Sequence, residues 1–447
     1  MASAAEQLAA NISWGAFANA KDLHKRLIFT LLALVVYRFG AYIPLPGIDP
    51  SIMEQVAARN SQGILGMFDI LSGGALSRMS VFALALMPYI SSSIMVQLMT
   101  SVIPAWANLK KEGEAGRKKL NQYTRYGTVI LASLQGFALA AGLEHSYGDT
   151  GSSPVLIPGI IFTVSTVVSI VGGTLFLMWL GEQITARGIG QGTSLIIFAG
   201  IVAGIPGALV HTLELGRTGA ISIGFILSLL VMMGAIVLFI IFMERAQRKI
   251  PIQYPKRQMG GKMFGGESSH LPLKINSAGV IPPIFASALL SLPATLTGFS
   301  GGSGTGFLGS VGHYLAHGQP AYIVCYLFFM VFFTFFYTAI VFNPEETAEN
   351  LRKNGGFILG VRPGKATSDY LDYVLNRITV LGAGYIAAVC IMPEIFISQS
   401  SAPFYFGGTS LLIVVSVTMD TVAQVHSHLL AHQYEGLLKK TKLKGRN

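Results

Sequence analysis

Apolar segments of about 20 residues recur along the whole chain, and they constrain its fold more than any other feature of the sequence. A segment of this length crosses the hydrocarbon core of a bilayer, about 30 Å thick, as an α-helix. Membrane-spanning β-strands need only about 10 residues and alternate in polarity, a pattern that these segments lack. Only 12% of the residues are charged, against roughly 25% in soluble domains. The sequence therefore predicts an all-α polytopic membrane protein.

The apolar segments predict ten transmembrane helices, and the charged residues predict their orientation. Ten spans place both termini on the same side of the membrane. The segments on that side carry all but five of the 31 Lys and Arg residues, which is the bias expected of cytoplasmic segments. Orientation and attraction to anionic lipids account for about half of the net charge of +10. The predicted spans are residues 27–43, 80–102, 126–143, 156–180, 193–213, 221–243, 275–297, 321–342, 374–397 and 404–425.

Two of the predicted cytoplasmic loops are unusually long. Residues 244–274 are basic and glycine-rich, and residues 343–373 form the second loop. Loops beyond about 12–15 residues are usually functional or disordered. A solvated loop is the common alternative, but two such loops on one face predict a single basic platform.

A short apolar segment near residue 64 is the least ordinary feature. Residues 64–71 reach only about 12 Å as a helix, which is less than half of the hydrocarbon core. The following Ser72-Gly73-Gly74 backbone would leave polar groups unsatisfied in lipid, so it is tolerated only inside protein or beside a water-filled cavity. We therefore expect this segment to fold back into the protein from the outer side. An amphipathic helix lying on the membrane surface is the alternative.

Seven stretches of sequence resemble the SecY family of protein-translocase channels, in the same order and over essentially the whole chain. They read AYIPLPGIDP, FDILSGGALSRMSVFALALMPYISSSI, KKEGEAGRKKLNQYTRYGT, FLMWLGEQITARGIGQG, SHLPLKINSAGVIPPIFASAL, FNPEETAENLRKNGGFILGVRPG and PFYFGGTSLLIVVSVTMD. The resemblance implies two pseudo-symmetric five-helix halves, residues 1–220 and 221–447, that open like a clam shell. It also implies a short re-entrant plug helix at about residues 64–74.

The resemblance further implies which residues would form the parts of a channel. A narrow apolar constriction that dewets would exclude ions, and the implied ring departs from an aliphatic pattern at Thr193. The ring residues are Leu86, Ile90, Thr193, Ile197, Ile284 and Ile413. The plug residues are Ile64, Leu65, Met67, Phe68, Ile70, Leu71, Gly73 and Gly74, with the two glycines as its hinge. The lateral gate residues are Ser91, Ser92, Gln97, Asn276, Ser277, Pro282 and Pro283.

The polar side chains of the second and seventh spans are expected to meet at the gate, and the adjacent prolines are expected to weaken the seventh helix. Lipid-facing isoleucines and an ordinary proline kink are the alternatives for single positions. The resemblance also implies partners: the subunits SecE and SecG, the SecA motor ATPase, the ribosome, signal sequences, nascent polypeptides and anionic lipids. The motor or ribosome would dock on Arg245, Arg248, Lys256, Arg257 and Arg362.

A membrane protein with this pattern could be a channel, a secondary transporter or an intramembrane enzyme. A secondary transporter also suits ten helices in inverted halves, but it needs polar groups at the midplane, where this chain is expected to be aliphatic. An intramembrane enzyme would need paired acids, a nucleophile with its base, or a metal motif. We therefore predict a passive protein-conducting channel of the bacterial cytoplasmic membrane, with no enzymatic activity, cofactor or metal, and with both termini in the cytoplasm.

Overall fold

The computed structural model is mostly helical. It describes residues 20–49, 51–53, 69, 72–144, 153–219, 222–254, 257–259, 262–264, 268–299, 319–399 and 407–444. The helices are α1 (Lys21–Gly40), α2 (Met87–Val102), α3 (Pro104–Lys111), α4 (Glu114–Glu144), α5 (Ile160–Arg187), α6 (Gly192–Arg217), α7 (Ile223–Arg245), α8 (Ile281–Phe299), α9 (Pro320–Val341), α10 (Pro344–Lys353), α11 (Lys365–Gln399) and α12 (Gly408–Lys444). The strands are β1 (Gln247–Gln253), β2 (Arg257–Met259), β3 (Lys262–Phe264), β4 (Ser268–Lys274) and β5 (Phe357–Ile358).

The helices confirm a polytopic membrane protein. Within the described ranges, seven helices are long and apolar enough to cross a membrane. Helices α2 and α3 are bent by 106° at Ile103, and counting this pair as one span makes eight. The predicted number of ten spans stays a prediction.

The chain forms two compact units. The first contains Met1–Leu213, Ser291–His317 and Ile413–Asn447, and the second contains Glu214–Leu290 and Gly318–Leu412. The predicted boundary at residue 220 stays a prediction.

In the first unit, the described residues 41–49 and 72–86 between α1 and α2 are joined by backbone hydrogen bonds. Leu45 N donates to Met79 O at 2.9 Å, and Val81 N donates to Ile43 O at 3.0 Å. Apolar side chains from this segment, α4 and α5 pack beneath it, including Leu45, Met79 and Ile170. This packing holds Leu45 and Met79 against α4 and α5.

The turn between α5 and α6, also in the first unit, is held by side chains of two other helices. Thr30 Oγ1 on α1 accepts a hydrogen bond from Ile189 N at 3.1 Å, and Gln424 Oε1 on α12 accepts one from Gly190 N at 2.8 Å. Ile189 packs with Ala20, Leu23 and Leu429 in one buried cluster. Side chains from the first and the twelfth helix therefore hold the same turn.

In the second unit, three strands form a sheet in the order β4-β1-β5. Ile250 and Ile252 alternate with exposed residues on β1, so one face of this sheet is buried. Ile250, Leu273 and Ile358 pack in one cluster with Leu371, Val374 and Ile378 of α11. The sheet is therefore fixed to a membrane-spanning helix and is not a loose loop.

The predicted all-α fold class is confirmed, and short strands within residues 247–274 and at residues 357–358 add to the helices. Two other sequence expectations are wrong at this level. The second span does not begin its helix at Ser80, because residues 80–86 form turns and α2 begins at Met87 with Pro88 in its first turn, where a proline costs no hydrogen bond. Pro282 and Pro283 do not weaken the middle of a helix, because α8 begins at Ile281 and both lie in its first turn.

Candidate functional site

The base of the predicted plug is described by Asp69, Ser72, Gly73 and Gly74, whereas Ile64, Leu65, Met67, Phe68, Ile70 and Leu71 lie outside the described residues. Gly73 and Gly74 have φ of 69° and 81°, a backbone conformation that favours glycine. Gly74 N donates to Asp69 O at 2.8 Å, and Asp69 Oδ1 accepts from Ser77 N at 2.7 Å. These bonds close the backbone into a compact turn.

Two consecutive side chains of α1 bind this turn. Tyr37 Oη donates to Ser72 O at 3.0 Å, in a buried contact. Arg38 Nη1 donates to Gly73 O at 2.6 Å. The carbonyl groups that lipid could not satisfy are thus paired inside the protein, as the sequence argument required.

Arg38 makes a second contact on the other side of its guanidinium group. Its Nη2 donates to Tyr42 Oη at 3.0 Å. The guanidinium carbons of Arg38 and Arg78 lie 4.9 Å and 4.2 Å from the centre of the Tyr42 ring. Both distances are within the range of a cation–π interaction, so Tyr42 holds the two arginines.

The six predicted ring residues lie on four helices or at their ends. Leu86 precedes α2 and is buried, and Ile90 N donates to its carbonyl at 2.9 Å. Thr193 and Ile197 lie in the first two turns of α6, Ile413 is buried on α12, and Ile284 is buried on α8. Thr193 lies beside α5, where a Cβ atom on Gly181 would be 3.3 Å from its methyl group. The ring that these residues would form stays a prediction.

One of the predicted gate residues of the first unit, Ser92, contacts α4. Ser92 is buried and donates to Thr124 O at 2.7 Å. A Cβ atom on Gly127 would lie only 2.3 Å from Ser92 Oγ, so α2 and α4 approach closely here. Ser91 is also buried, and Gln97 Nε2 donates to Ser93 Oγ at 3.4 Å. Ser92 was expected to face the seventh span, but its hydrogen-bond partner lies on α4 in the first unit.

The predicted gate residues of the second unit surround the start of α8. Asn276 Nδ2 donates to Glu244 Oε1 at 2.7 Å and to Gly279 O at 3.2 Å. Ser277 Oγ donates to Lys274 O at 2.9 Å. The buried Oδ1 of Asn276 accepts no hydrogen bond from the residues that the structure describes.

The two long loops are joined in the second unit. Strand β1 from the first loop pairs antiparallel with β5 from the second, with Ile252 opposite Ile358. Arg245, Arg248 and Arg362 are exposed. Lys256 lies outside the described residues, and of Arg257 only the backbone is described, in β2. Strands from both loops thus share one sheet, and the basic platform expected from sequence stays a prediction.

The second loop is rigid for reasons that are visible in its sequence. Asn343 caps α10 by accepting from Glu345 N at 3.1 Å and Glu346 N at 3.4 Å. Lys353 Nζ lies 3.0 Å from Glu349 Oε1, and the hydrogen bond from Lys353 lowers the pKa of that carboxyl group. A capped helix and a paired strand thus precede Arg362 in the chain.

The sequence did not predict that Tyr37 and Arg38 bind the carbonyls of Ser72 and Gly73. An arginine inside an apolar span was the available signal, because a charged side chain in a membrane is costly unless it has a partner. The sequence also did not predict the bidentate contact between Arg125 and Glu182, at 2.7 Å, which joins α4 to α5. Partners this distant in sequence cannot be assigned from spacing.

The apolar helices, the segment turned back onto α1 and the basic sheet define a helical membrane channel. The SecY family model matches residues 80–422. A Rickettsia conorii protein translocase subunit SecY is 54% identical over 428 residues, covering 95% of this chain and 98% of that protein. The Escherichia coli K12 protein translocase subunit SecY is 51% identical over 425 residues, covering 95% of this chain and 96% of that protein. The chain belongs to the SecY family, the channel subunits of protein translocases, and it is not an enzyme.

Solved structures share the fold at low sequence identity. A SecY channel whose plug domain stabilises the closed state aligns with a TM-score of 0.63 at 19% identity, covering 91% of this chain and 92% of that chain. The Sec61 channel from a canine ribosome-channel complex of the endoplasmic reticulum aligns with a TM-score of 0.59 at 17% identity, with the same coverage. These similarities establish the architecture of the chain.

Proposed function

We propose that the chain forms the passage through which unfolded secretory polypeptides cross the bacterial cytoplasmic membrane. Its membership of the SecY family is the observation that carries this proposal. Transmembrane segments would leave sideways into lipid through a gate between the second and seventh spans. Both termini lie in the cytoplasm, in line with the distribution of Lys and Arg.

Two elements seal the resting passage. The ring of Leu86, Ile90, Thr193, Ile197, Ile284 and Ile413 is the apolar constriction, which excludes ions because water leaves it. Residues 64–74 are the plug that covers the outer side. The turn at Ser72–Gly74 supports the plug, because side chains of α1 bind the carbonyls of Ser72 and Gly73 and so pair backbone groups that lipid would leave unsatisfied.

The two halves, residues 1–220 and 221–447, move apart when the passage opens. The unpaired Oδ1 of Asn276 supports a role for this residue at a polar gate, because a buried acceptor without a partner is costly and gains from any donor it meets. A signal sequence that separates the second and seventh spans would replace such contacts with its own apolar side chains.

The driving force comes from partners. The SecA ATPase and the ribosome dock on the sheet β4-β1-β5 and the turn at Arg362. The ribosome-channel complex of a Sec61 channel supports the ribosome as a partner. SecE and SecG complete the complex, and anionic lipids surround its cytoplasmic face. Nascent polypeptides and their signal sequences are the cargo.

Crosslinking tests the passage directly. In a chain with Cys325→Ala and Cys390→Ala, the variant Ile197→Cys should crosslink to a stalled secretory polypeptide that carries a thiol-reactive group. Leu238→Cys is the control, because Leu238 lies in an apolar span with 69% of its surface exposed and belongs to no predicted ring. Equal adducts at both positions, or none at residue 197, would contradict the proposal, and a secondary transporter would give none.

A further inference from the structure

We propose that Tyr37 and Arg38 form a latch on the base of the plug, and that the plug leaves its closed position only after their hydrogen bonds to Ser72 and Gly73 have broken. This inference rests on the proposed function of residues 64–74. It assigns a positioning role to two side chains of the first span, outside the ring and the gate.

The two hydrogen bonds of the latch join consecutive residues of α1 to consecutive residues of the turn. Tyr37 and Arg38 are consecutive residues in the last turn of α1, and their partners Ser72 and Gly73 are consecutive carbonyls. Neighbouring helical side chains point about 100° apart, as 3.6 residues make one turn. The dipeptide Ser72-Gly73 is thus held by two side chains that leave α1 in different directions.

The two bonds differ in what they require to open. The Tyr37 bond is buried on both sides, since Tyr37 and Ser72 are almost fully inaccessible. Breaking it leaves a carbonyl without a partner unless water enters. The Arg38 bond is charge-assisted and short, and such bonds are roughly twice as strong as neutral ones.

The turn fits against Tyr37 and Arg38 only because residue 73 is glycine. A Cβ atom there would lie 2.8 Å from Gly200 Cα on α6 and 3.0 Å from Arg38 Nη1. The turn is thus pressed between α1 and α6 with no space for a side chain. This close fit places the Gly73 carbonyl within reach of the guanidinium group.

The Arg38 side of the latch is less buried than the Tyr37 side. Arg38 is half-buried and is oriented by Tyr42, which also contacts Arg78 and has 57% of its surface exposed. The Arg38 bond is therefore expected to open before the Tyr37 bond. The latch is strong at rest and still releasable.

Labelling of residue 72 tests the latch. In a chain with Cys325→Ala and Cys390→Ala, the variant Ser72→Cys places a thiol at a buried position. A membrane-impermeant maleimide applied to the outer side should label it slowly. Adding Tyr37→Phe or Arg38→Gln should speed labelling by about tenfold, the change expected for the loss of one such hydrogen bond.

Two further variants control for general loosening. Tyr326→Phe also removes a buried hydroxyl contact, 3.0 Å from Thr409 Oγ1 in the other unit, and should leave the labelling rate unchanged. Arg38→Lys keeps the charge but loses the fork that binds Gly73 and Tyr42 together, so it should give an intermediate rate. Unchanged labelling in both latch variants, or equal acceleration by Tyr326→Phe, overturns the latch.

Ion leak through reconstituted channels separates the latch from the plug itself. Deletion of residues 64–71 and loosening of the latch should both raise the leak. Leak from the deletion together with slow labelling in the latch variants would mean that the plug is held by other contacts. Fast labelling in the latch variants without leak from the deletion would uphold the anchor and refute the plug.

Discussion

Arg38 illustrates how a single side chain decides the local structure of a membrane protein. An arginine at the centre of a span costs about 2.5–3.5 kcal/mol on insertion scales, so its position near the end of α1 and its two hydrogen bonds reduce that cost. The sequence shows the arginine but not its partner, since Gly73 lies 35 residues away. An arginine in an apolar span indicates a functional contact before the contact itself is known.

At the same scale, the ring can be tested by one polar substitution. Ile413→Asn keeps roughly the same volume and gives water hydrogen-bond partners in a constriction that is expected to dewet. We expect higher ion conductance of the resting channel and easier opening for substrates with weak signal sequences, because a closed state that is destabilised selectively loses population. Planar-bilayer conductance and a secretion assay measure the two effects.

The matched control is Ile240→Asn on α7. Ile240 is 0% exposed and Ile413 is 1% exposed, so both changes bury an amide that costs about 1–3 kcal/mol when unsatisfied. Only the change at residue 413 should open the channel to ions. Equal leak from both would show general helix disruption, and the ring would have to be abandoned.

Helices α2 and α4 show what decides packing at the scale of elements. Ser92 of α2 reaches Thr124 O only because residue 127 of α4 lacks a side chain. Gly142 of the same helix has open space around it. The two glycines look alike in the sequence, and only the neighbouring helix distinguishes them.

Alanine at these two glycines should therefore have opposite effects. Gly127→Ala forces a methyl group against Ser92 and should destabilise the protein by about 1–3 kcal/mol. Gly142→Ala removes a helix-weakening glycine without a clash and should be neutral or stabilising by up to about 1 kcal/mol. The thermal unfolding midpoint in detergent measures both. A fall at residue 142 as large as that at residue 127 would refute this account of α2–α4 packing.

Sequence reasoning recovered the elements that leave a strong pattern in the sequence. Apolar length predicted the spanning helices, since a bilayer imposes that length. The strands of residues 247–253 and 268–274 were missed although Ile250 and Ile252 alternate with polar residues, because the glycines and charges of the loop suggested irregular structure. The start of α8 was missed because a proline pair does not reveal whether it lies inside a helix or in its first turn.

At the scale of the whole molecule, the pairing of β1 with β5 makes two distant loops one surface. Residues 252 and 358 are far apart in sequence, yet their strands are hydrogen-bonded, and Ile250 of β1 and Ile358 of β5 are buried together against α11. A partner that binds Arg362 thus also acts on the strand that follows α7. The sequence predicted a common face for the two loops but not the sheet that joins them.

Reversing one charge on this surface should interrupt secretion without unfolding the protein. Arg362 is exposed and lies in the turn before α11, so Arg362→Glu should leave insertion and the unfolding midpoint unchanged. It should weaken binding of the SecA ATPase or the ribosome to reconstituted vesicles, because like charges then meet at the interface. Translocation into these vesicles and sedimentation with the partner are the measurements.

Arg217→Glu is the corresponding control, because Arg217 is also exposed but lies at the end of α6 that is predicted to face outward. This change should not affect binding or translocation. Normal translocation with Arg362→Glu would remove residue 362 from the docking surface.

The turn between α5 and α6 has a consequence for how the protein is made. Ile189 and Gly190 bind Thr30 of α1 and Gln424 of α12, and Leu429 completes the cluster around Ile189. During translation α12 is made after the other helices described here. The amide of Gly190 therefore lacks its acceptor, Gln424 Oε1, for most of synthesis. A nascent chain halted before residue 424 would therefore lack one of the two side-chain hydrogen bonds at this turn and the Leu429 contact with Ile189.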